Sequence, residues 1–438
     1  MANEHLAQGL ELPRSGFDRR VAEAGFVILL LLIFIGTTPL DDRSVAALSA
    51  RNAASASGDF IRQISFLGTF AIIVFAALRR RGLSAVRAVP VSLALLMGWC
   101  ILTSIWSDEP DIVARRAILA TIFVLSVMLS VDTLGTARAV ALWRYVVAAV
   151  IIGDLASVAL FHQAVHLPSD VEANLAGSWR GLHSHKNTAG AFAATSAIMF
   201  FYFAVENRRR SDIILCVASI FFLVMTRSKS SMGLLPVALI AGALYRVAWR
   251  SKLDRAIAAA AVGLLLIGLA VTLAVQWQLV ARLLEDPQNF TGRAAIWQAE
   301  FAYIRDHPLL GAGFGTFGNT GMRSPIYHYV GSGWVSQIGE GHSGYLEMLV
   351  TIGGVGFILG MSAVVVLPFL QFWRPERTDA NLNAMLFAVF LFDILHNFME
   401  SDFIQVTAVQ WGQLLLVLGL LRASMRETKP AAAVPSWT

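Results

Sequence analysis

Apolar runs of about 18 to 25 residues recur from Val21 to Leu421, each long enough for a helix to cross roughly 30 Å of hydrocarbon at 1.5 Å per residue. Of 438 residues, 56% are hydrophobic and 14% charged, at a mean hydropathy of +0.64, too apolar to present a water-soluble surface. Strands of a membrane barrel would alternate polar and apolar positions, whereas Val27 to Ile35 and Ile257 to Val275 are apolar on almost every face. The expected fold is all-α, a polytopic membrane protein with about twelve transmembrane helices and one large external loop containing short helices.

The apolar runs place spans at 21–39, 60–78, 88–106, 113–131, 140–161, 188–205, 212–226, 231–248, 256–276, 343–373, 381–399 and 403–421. The chain then divides into an N-terminal tail (1–20), nine helices (21–275), the large loop (276–342), three helices (343–421) and a C-terminal tail (422–438). Arginine clusters at Arg14/Arg19/Arg20, Arg79/Arg80/Arg81, Arg208/Arg209/Arg210, Arg246/Arg250 and Arg422/Arg426 all fall on one side of this layout. By the positive-inside rule that side is cytoplasmic, with both termini, and the loop faces a bacterial periplasm. The first run follows a charged leader without a small-residue cleavage site, which predicts a retained span. Cys100 and Cys216 lie in apolar runs, so no disulfide framework is expected.

The chemistry concentrates in the polar island from Gln276 to Gly341 and the residues just after it. Arg293 follows Thr291-Gly292 and opens a stretch of helix formers stopped by His307-Pro308. A guanidinium at a helix N-terminus suits a phosphate or pyrophosphate; the alternative is an ion pair with Glu300 that only holds the loop together. His342 sits where the loop re-enters the membrane, with Ser343 as helix cap. Its imidazole suits a general base at neutral pH or an interfacial hydrogen-bonding anchor.

Elsewhere, Ser178 to Asn187 concentrates Arg180, His183, His185 and Lys186 on the same side. His183-x-His185 could bind zinc, but no third or fourth ligand stands at a characteristic spacing, so phosphate or sugar contact is favoured. Asp393, His396, Asn397 and Glu400 fall three and four apart, as one helix face would require, and read as a sugar-facing wall, as orienting partners for His342 or Arg293, or as a packing network. Asp154 reads as a bond to a neighbouring helix. The glycines of Leu310-Gly311-Ala312-Gly313-Phe314-Gly315 lack the preceding strand and following Lys-Ser/Thr of a phosphate loop.

Together, Arg293 with Trp297, His307-Pro308-Leu309-Leu310-Gly311-Ala312-Gly313, His342-Ser343-Gly344-Tyr345-Leu346-Glu347 and Gly353-Gly354-Val355-Gly356 resemble the O-antigen ligase and polymerase family of bacterial inner-membrane proteins. His185-Lys186-Asn187, Thr226-Arg227-Ser228-Lys229-Ser230 and Glu400-Ser401-Asp402 resemble its exopolysaccharide-polymerase branch. The resemblance implies a metal-independent, inverting glycosyltransferase of the inner membrane that uses no cofactor and no nucleotide sugar. Its donor would be an undecaprenyl-diphosphate-linked glycan, and its acceptor another glycan or lipid A core, within the lipid bilayer and alongside other polysaccharide-assembly proteins. No nucleic-acid partner is expected. Arg180 and Arg293 would hold the diphosphate and His342 would deprotonate or orient the attacking hydroxyl. His185, Lys186, Arg227, Lys229, Trp297, Tyr345 and Glu400 would complete the diphosphate and substrate contacts. The chain departs from the family pattern at Ser343, where Asn is common.

Two other classes compete. A polyprenyl-monophosphate glycosyltransferase would use carboxylates in the first external loop, where Asp41-Asp42 sits, and would depend on metal. A transporter or flippase would share the twelve-span layout, but its polarity would lie at mid-bilayer rather than in one external loop.

Overall fold

The computed structural model describes residues 16–44, 59–170, 172–248, 251, 253–254, 256, 293–318, 320, 323–330, 341–374 and 379–427. Nearly all of the expected ninth span, the first part of the large loop, residues 331–340 and the outer parts of both tails lie outside the described residues. The described chain forms α1 (Gly16–Phe34), α2 (Phe60–Arg81), α3 (Val91–Leu102), α4 (Pro110–Leu134), α5 (Thr136–Leu160), α6 (Lys186–Asn207), α7 (Arg210–Thr226), α8 (Lys229–Ala248), α9 (Arg293–Asp306), α10 (Gly344–Phe372), α11 (Ala380–His396) and α12 (Val409–Glu427). Extended pairing among the described residues is confined to the isolated bridges Ser44–Asp170 and Val165–Trp179. The all-α expectation holds.

Among the described residues, six helices are long and apolar enough to cross a membrane: α2 with its extension to Ala88, α4, α5, α6, α8 and α10. The α3 segment through Ile105 and α11 are shorter apolar helices. On α7, Ile213, Ile214, Val217, Phe221 and Val224 face outward. A belt of that kind is an aggregation surface in water and the ordinary boundary of a protein in lipid. This is a multi-pass membrane protein.

Small residues decide which helix is innermost. The α6 stretch Ala189-Gly190-Ala191-Phe192-Ala193-Ala194 is buried on all sides, and α6 packs against α7, α8, α11 and α12. Small side chains let helix backbones approach closely where no hydrophobic effect distinguishes protein from lipid. One ion pair also ties helices together within the bundle, Arg144 Nε on α5 to the buried Asp212 Oδ1 on α7 at 3.1 Å.

The large loop is clamped to α10 by backbone bonding. Gly354 N donates to Pro308 O (2.9 Å), Ala312 N to Val350 O (2.9 Å) and Gly313 N to Thr351 O (2.9 Å). This pairing is possible because α10 breaks at Gly353, whose φ is +68°. A Cβ at Gly353 would stand 2.2 Å from Leu309 O. The glycine-rich segment therefore serves to zip the loop onto a broken helix. A satellite core of Tyr303, Ala312, Phe317, Ile326 and Val350 fills the space beneath. Trp99 Nε1 on α3 takes the freed Ile352 carbonyl at 2.9 Å.

The Gly353→Ala substitution combines a left-handed backbone with a steric clash and should destabilise the protein by at least about 2 kcal/mol. A lowered melting temperature in detergent would show it; an unchanged melting curve would mean that the zipper yields.

Candidate active site

The site is organised by Glu400, in the turn after α11. That helix stops at His396 because Asn397 caps the turn, its side-chain oxygen accepting from Asp402 N (3.1 Å) and Phe403 N (2.9 Å). Glu400 therefore leaves the helix, and the expected four-residue helical stripe from Asp393 to Glu400 does not form. Asp393 and His396 are buried instead, His396 Nδ1 lying 2.7 Å from Asp402 Oδ2. The twelfth helix likewise begins at Val409, after a turn through residues 403–408, rather than at 403.

The Glu400 carboxylate collects three partners from three segments distant in sequence. Its Oε1 accepts from Arg293 Nη2 at 2.7 Å and from Asn187 Nδ2 at 2.7 Å. Its Oε2 lies 3.3 Å from His342 Nδ1. Arg293 also donates to the Met399 carbonyl. Burial alone would push this carboxyl up, but the His342 hydrogen bond and the Arg293 charge outweigh it and hold Glu400 at about 2. Glu400 is thus ionised and can only accept. His342 Nδ1 therefore carries the hydrogen that it donates to Glu400, and Nε2 is the ring nitrogen that this bond leaves unused. The His342 side chain is 34% exposed, and its backbone takes the left-handed φ of +52° that sets it apart from the helix behind it.

Neighbouring groups hold this arrangement in place. The described part of α9 begins at Arg293, and one turn on Trp297 Nε1 donates to Gly341 O at 3.1 Å. Ser343 N donates to Ser401 Oγ (3.1 Å), and Gly344 N reaches both Asn397 O and Glu400 O at 2.9 Å. Ser343 occupies the cap position of α10 without a side-chain capping bond. Glu300 does not pair with Arg293. It is 0% exposed, neither oxygen has a hydrogen-bond partner among the described residues, and burial, reinforced by Glu347, pushes its carboxyl well above the ordinary range. Glu347 Oε2 accepts from Gly341 N at 3.2 Å. A Cβ at Gly341 would lie 1.9 Å from Glu300 Oε1, so a larger residue there would require this carboxyl to shift.

A cationic rim adjoins the hub through Asn187. His185 caps α6, its Nδ1 accepting from Asn187 N (3.2 Å) while Nε2 faces Glu172 Oε2 (3.2 Å). Lys186 Nζ donates to Arg227 O at 3.4 Å. Arg227 ends α7 in a left-handed conformation and Lys229 opens α8, both side chains exposed. Asn187 was legible only as part of the His185-Lys186-Asn187 motif, and its bond to Glu400 joins that motif to Arg293 and His342.

Four residues singled out in the sequence turn out to be occupied elsewhere. Arg180 is 2% exposed, with Nη1 on Asp41 Oδ1 (2.5 Å), Nε on Gln163 O (2.6 Å) and a further bond to the Asp41 carbonyl. Its fork is spent on holding the 162–187 segment, so it is a positioning residue. Tyr345 donates to Ile394 O at 2.9 Å and packs between Phe398 and Phe403, which makes it a helix-packing group. His183 bonds Asp154 (3.2 Å) and His185 bonds Glu172, so the two histidines serve different acids. Asp154 accordingly meets the inserted 182–183 segment rather than a neighbouring helix, accepting also from Leu182 N at 2.9 Å.

Residues 214–361 match the family model described as O-antigen ligase. The matched segment, 148 of the chain's 438 residues, is similar to that family. No curated protein matches the chain. The matched segment contains Arg227, Lys229, Arg293, the zipper and His342, while Asn187 at the start of α6 and Glu400 in the turn after α11 complete the cluster from outside it. This likeness supports glycosyl transfer of the O-antigen ligase or polymerase type as the general activity.

Two substitutions separate structure from chemistry. Arg180→Ala removes a buried guanidinium with its bonds to Asp41 and Gln163 O and should destabilise the protein, read as a lowered melting temperature. Glu400, lowered from 4.5 to about 2, contributes stability that is complete above pH 4.5 and lost as pH falls through about 2. Glu400→Gln should therefore flatten acid unfolding within that window. It should also reduce turnover by about 10²-fold or more through loss of His342 orientation; unchanged acid unfolding and turnover would remove Glu400 as the hub.

Proposed function

We propose that this protein transfers a glycan from an undecaprenyl-diphosphate carrier to a sugar hydroxyl at the periplasmic face of the inner membrane, polymerising repeat units of an exopolysaccharide or O-antigen. The observation that carries this reading is the Glu400 carboxylate, which brings Arg293, His342 and Asn187 together beside a rim of cations.

In this reading the acceptor hydroxyl attacks the anomeric carbon from the side opposite the diphosphate, inverting its configuration. His342 Nε2 takes the hydroxyl proton as the new carbon–oxygen bond forms. The bond from the anomeric carbon to the diphosphate oxygen breaks, and the leaving group keeps the electron pair. Charge grows on that oxygen in the transition state, where Arg293 and the Lys186, Arg227 and Lys229 rim stabilise it more than they stabilise the neutral glycosidic bond. Glu400 fixes the tautomer of His342 and offsets its charge after proton transfer, the role of an orienting carboxylate. No step calls for a metal, so EDTA should leave the rate unchanged.

A ligase differs from a polymerase only in its acceptor, and the description of the matched family keeps lipid A core in view. Purified protein incubated in EDTA with undecaprenyl-diphosphate-linked repeat unit alone should yield longer lipid-linked glycans on gels and in mass spectra. Transfer only after lipid A core is added would make the protein a ligase. Arg293→Ala and His342→Ala should each lower turnover by about 10²-fold or more while the protein stays folded. Wild-type turnover in either variant would remove that residue from the mechanism.

A further inference from the structure

A second open site lies on the loop side, unused by the mechanism above. It is a cleft of about 610 Å³ with walls from three segments. Trp106 and Asp108 come from the turn between α3 and α4, Tyr303 and His307 from the end of α9, and His328 and Tyr329 from the short turn at Pro325–His328. Tyr303 stands ten residues beyond Arg293 on α9, roughly 15 Å along the helix. The cleft and the Glu400 cluster are thus fixed to one rigid rod.

The lining has a definite chemistry. His307 stacks on Tyr303 at 4.5 Å and 20°, and Tyr329 meets Tyr303 edge-on at 5.5 Å. Trp106 is held by its Nε1 bond to Leu310 O (3.3 Å) and by contact with Trp99. Around these rings Asp108, His307 and His328 are exposed, and the Tyr303 hydroxyl is pushed up by burial and by the charges of Tyr329 and Asp108, which keeps it protonated as a donor. Among the described lining residues there is no lysine or arginine. Rigid aromatic faces bordered by a carboxylate, imidazoles and a phenol suit a ligand with apolar C–H faces and hydroxyl edges. The lack of basic groups disfavours phosphate, the opposite of the rim beside Asn187.

We propose that this cleft is a glycan subsite, holding sugars of the substrate chain a short oligosaccharide's length from the bond that reacts. This rests on the glycosyl-transfer reading and adds to it a source of remote binding energy that acts on glycan length and identity. Asp108 accepts from sugar hydroxyls, and Trp106 and Tyr329 present ring faces and edges to the sugar.

The test compares two donors, the full lipid-linked repeat unit and a lipid diphosphate carrying a single sugar, in Asp108→Asn, Trp106→Ala and Tyr329→Ala proteins. For the long donor each variant should raise KM roughly tenfold, the equivalent of about 1.4 kcal/mol, with kcat near wild type. The single-sugar donor should be unaffected, whereas damage to the fold would slow both. A parallel calorimetric titration uses oligosaccharide released from the producing organism's own lipid-linked glycan. It should show binding to wild type and to Arg293→Ala, and at least tenfold weaker binding to Asp108→Asn. Wild-type KM on the long donor and wild-type oligosaccharide affinity in all three cleft variants would overturn the subsite and leave the proposed reaction standing. Full activity of Arg293→Ala would overturn the reaction scheme, and the titration would still decide the cleft.

Discussion

The Glu400 carboxylate is the interaction on which the site depends. An ionised carboxylate with 14% of its side chain exposed is costly unless cations and donors surround it, and here Arg293, Asn187 and His342 do so. Each of these belongs to a different part of the chain: the loop helix, the start of a central span and the re-entry turn. Satisfying one charge therefore assembles the whole constellation. The same bond makes His342 directional, because an acceptor at Nδ1 leaves Nε2 as the unused ring nitrogen.

For that hub to work, the loop must sit at a fixed height on the bundle. The zipper between Pro308–Gly313 and Val350–Val355 supplies this with backbone hydrogen bonds at a break in α10, so the cost of interrupting a membrane helix is met by pairing its freed groups. Phe314 N on Thr103 Oγ1 (3.0 Å) and Arg116 on the Gly315 carbonyl add anchors from α4 and the turn before it. With one end of α9 held at the zipper and the other at Glu400, the helix acts as a ruler between the cationic rim and the aromatic cleft.

Arginines with similar sequence settings end in different roles. Arg180 and Arg293 both follow or precede glycine in polar stretches on one side of the bundle. Arg180 finds Asp41 and backbone carbonyls at close range and is sealed in, while Arg293 meets a carboxylate that also serves a partly exposed histidine. Burial separates a brace from a candidate catalytic group. Glu300 makes the complementary point: it looked like a partner for Arg293, yet it lies behind Gly341 beside Glu347 without a hydrogen-bond partner among the described residues, its carboxyl pushed well up by burial.

The sequence by itself determined the all-α membrane class, because long apolar runs leave helices as the natural way to satisfy backbone groups in lipid. It also located Arg293, His342 and Glu400, since polar residues at the ends of apolar runs are few and motif-bound. The bracketing glycines were equally visible, but their purpose was not: the close approach of Gly311 to Gly353 joins residues far apart in sequence, and nothing local reveals it. Tertiary structure alone decided that Glu400 leaves its helix, that Tyr345 packs inward, that Asn187 joins the cluster and that Arg180 does not. Hydropathy and spacing report which residues are available on a face. Which of two nearby charges is buried, paired or open depends on contacts closed by other segments, and those follow from the packing of the whole bundle.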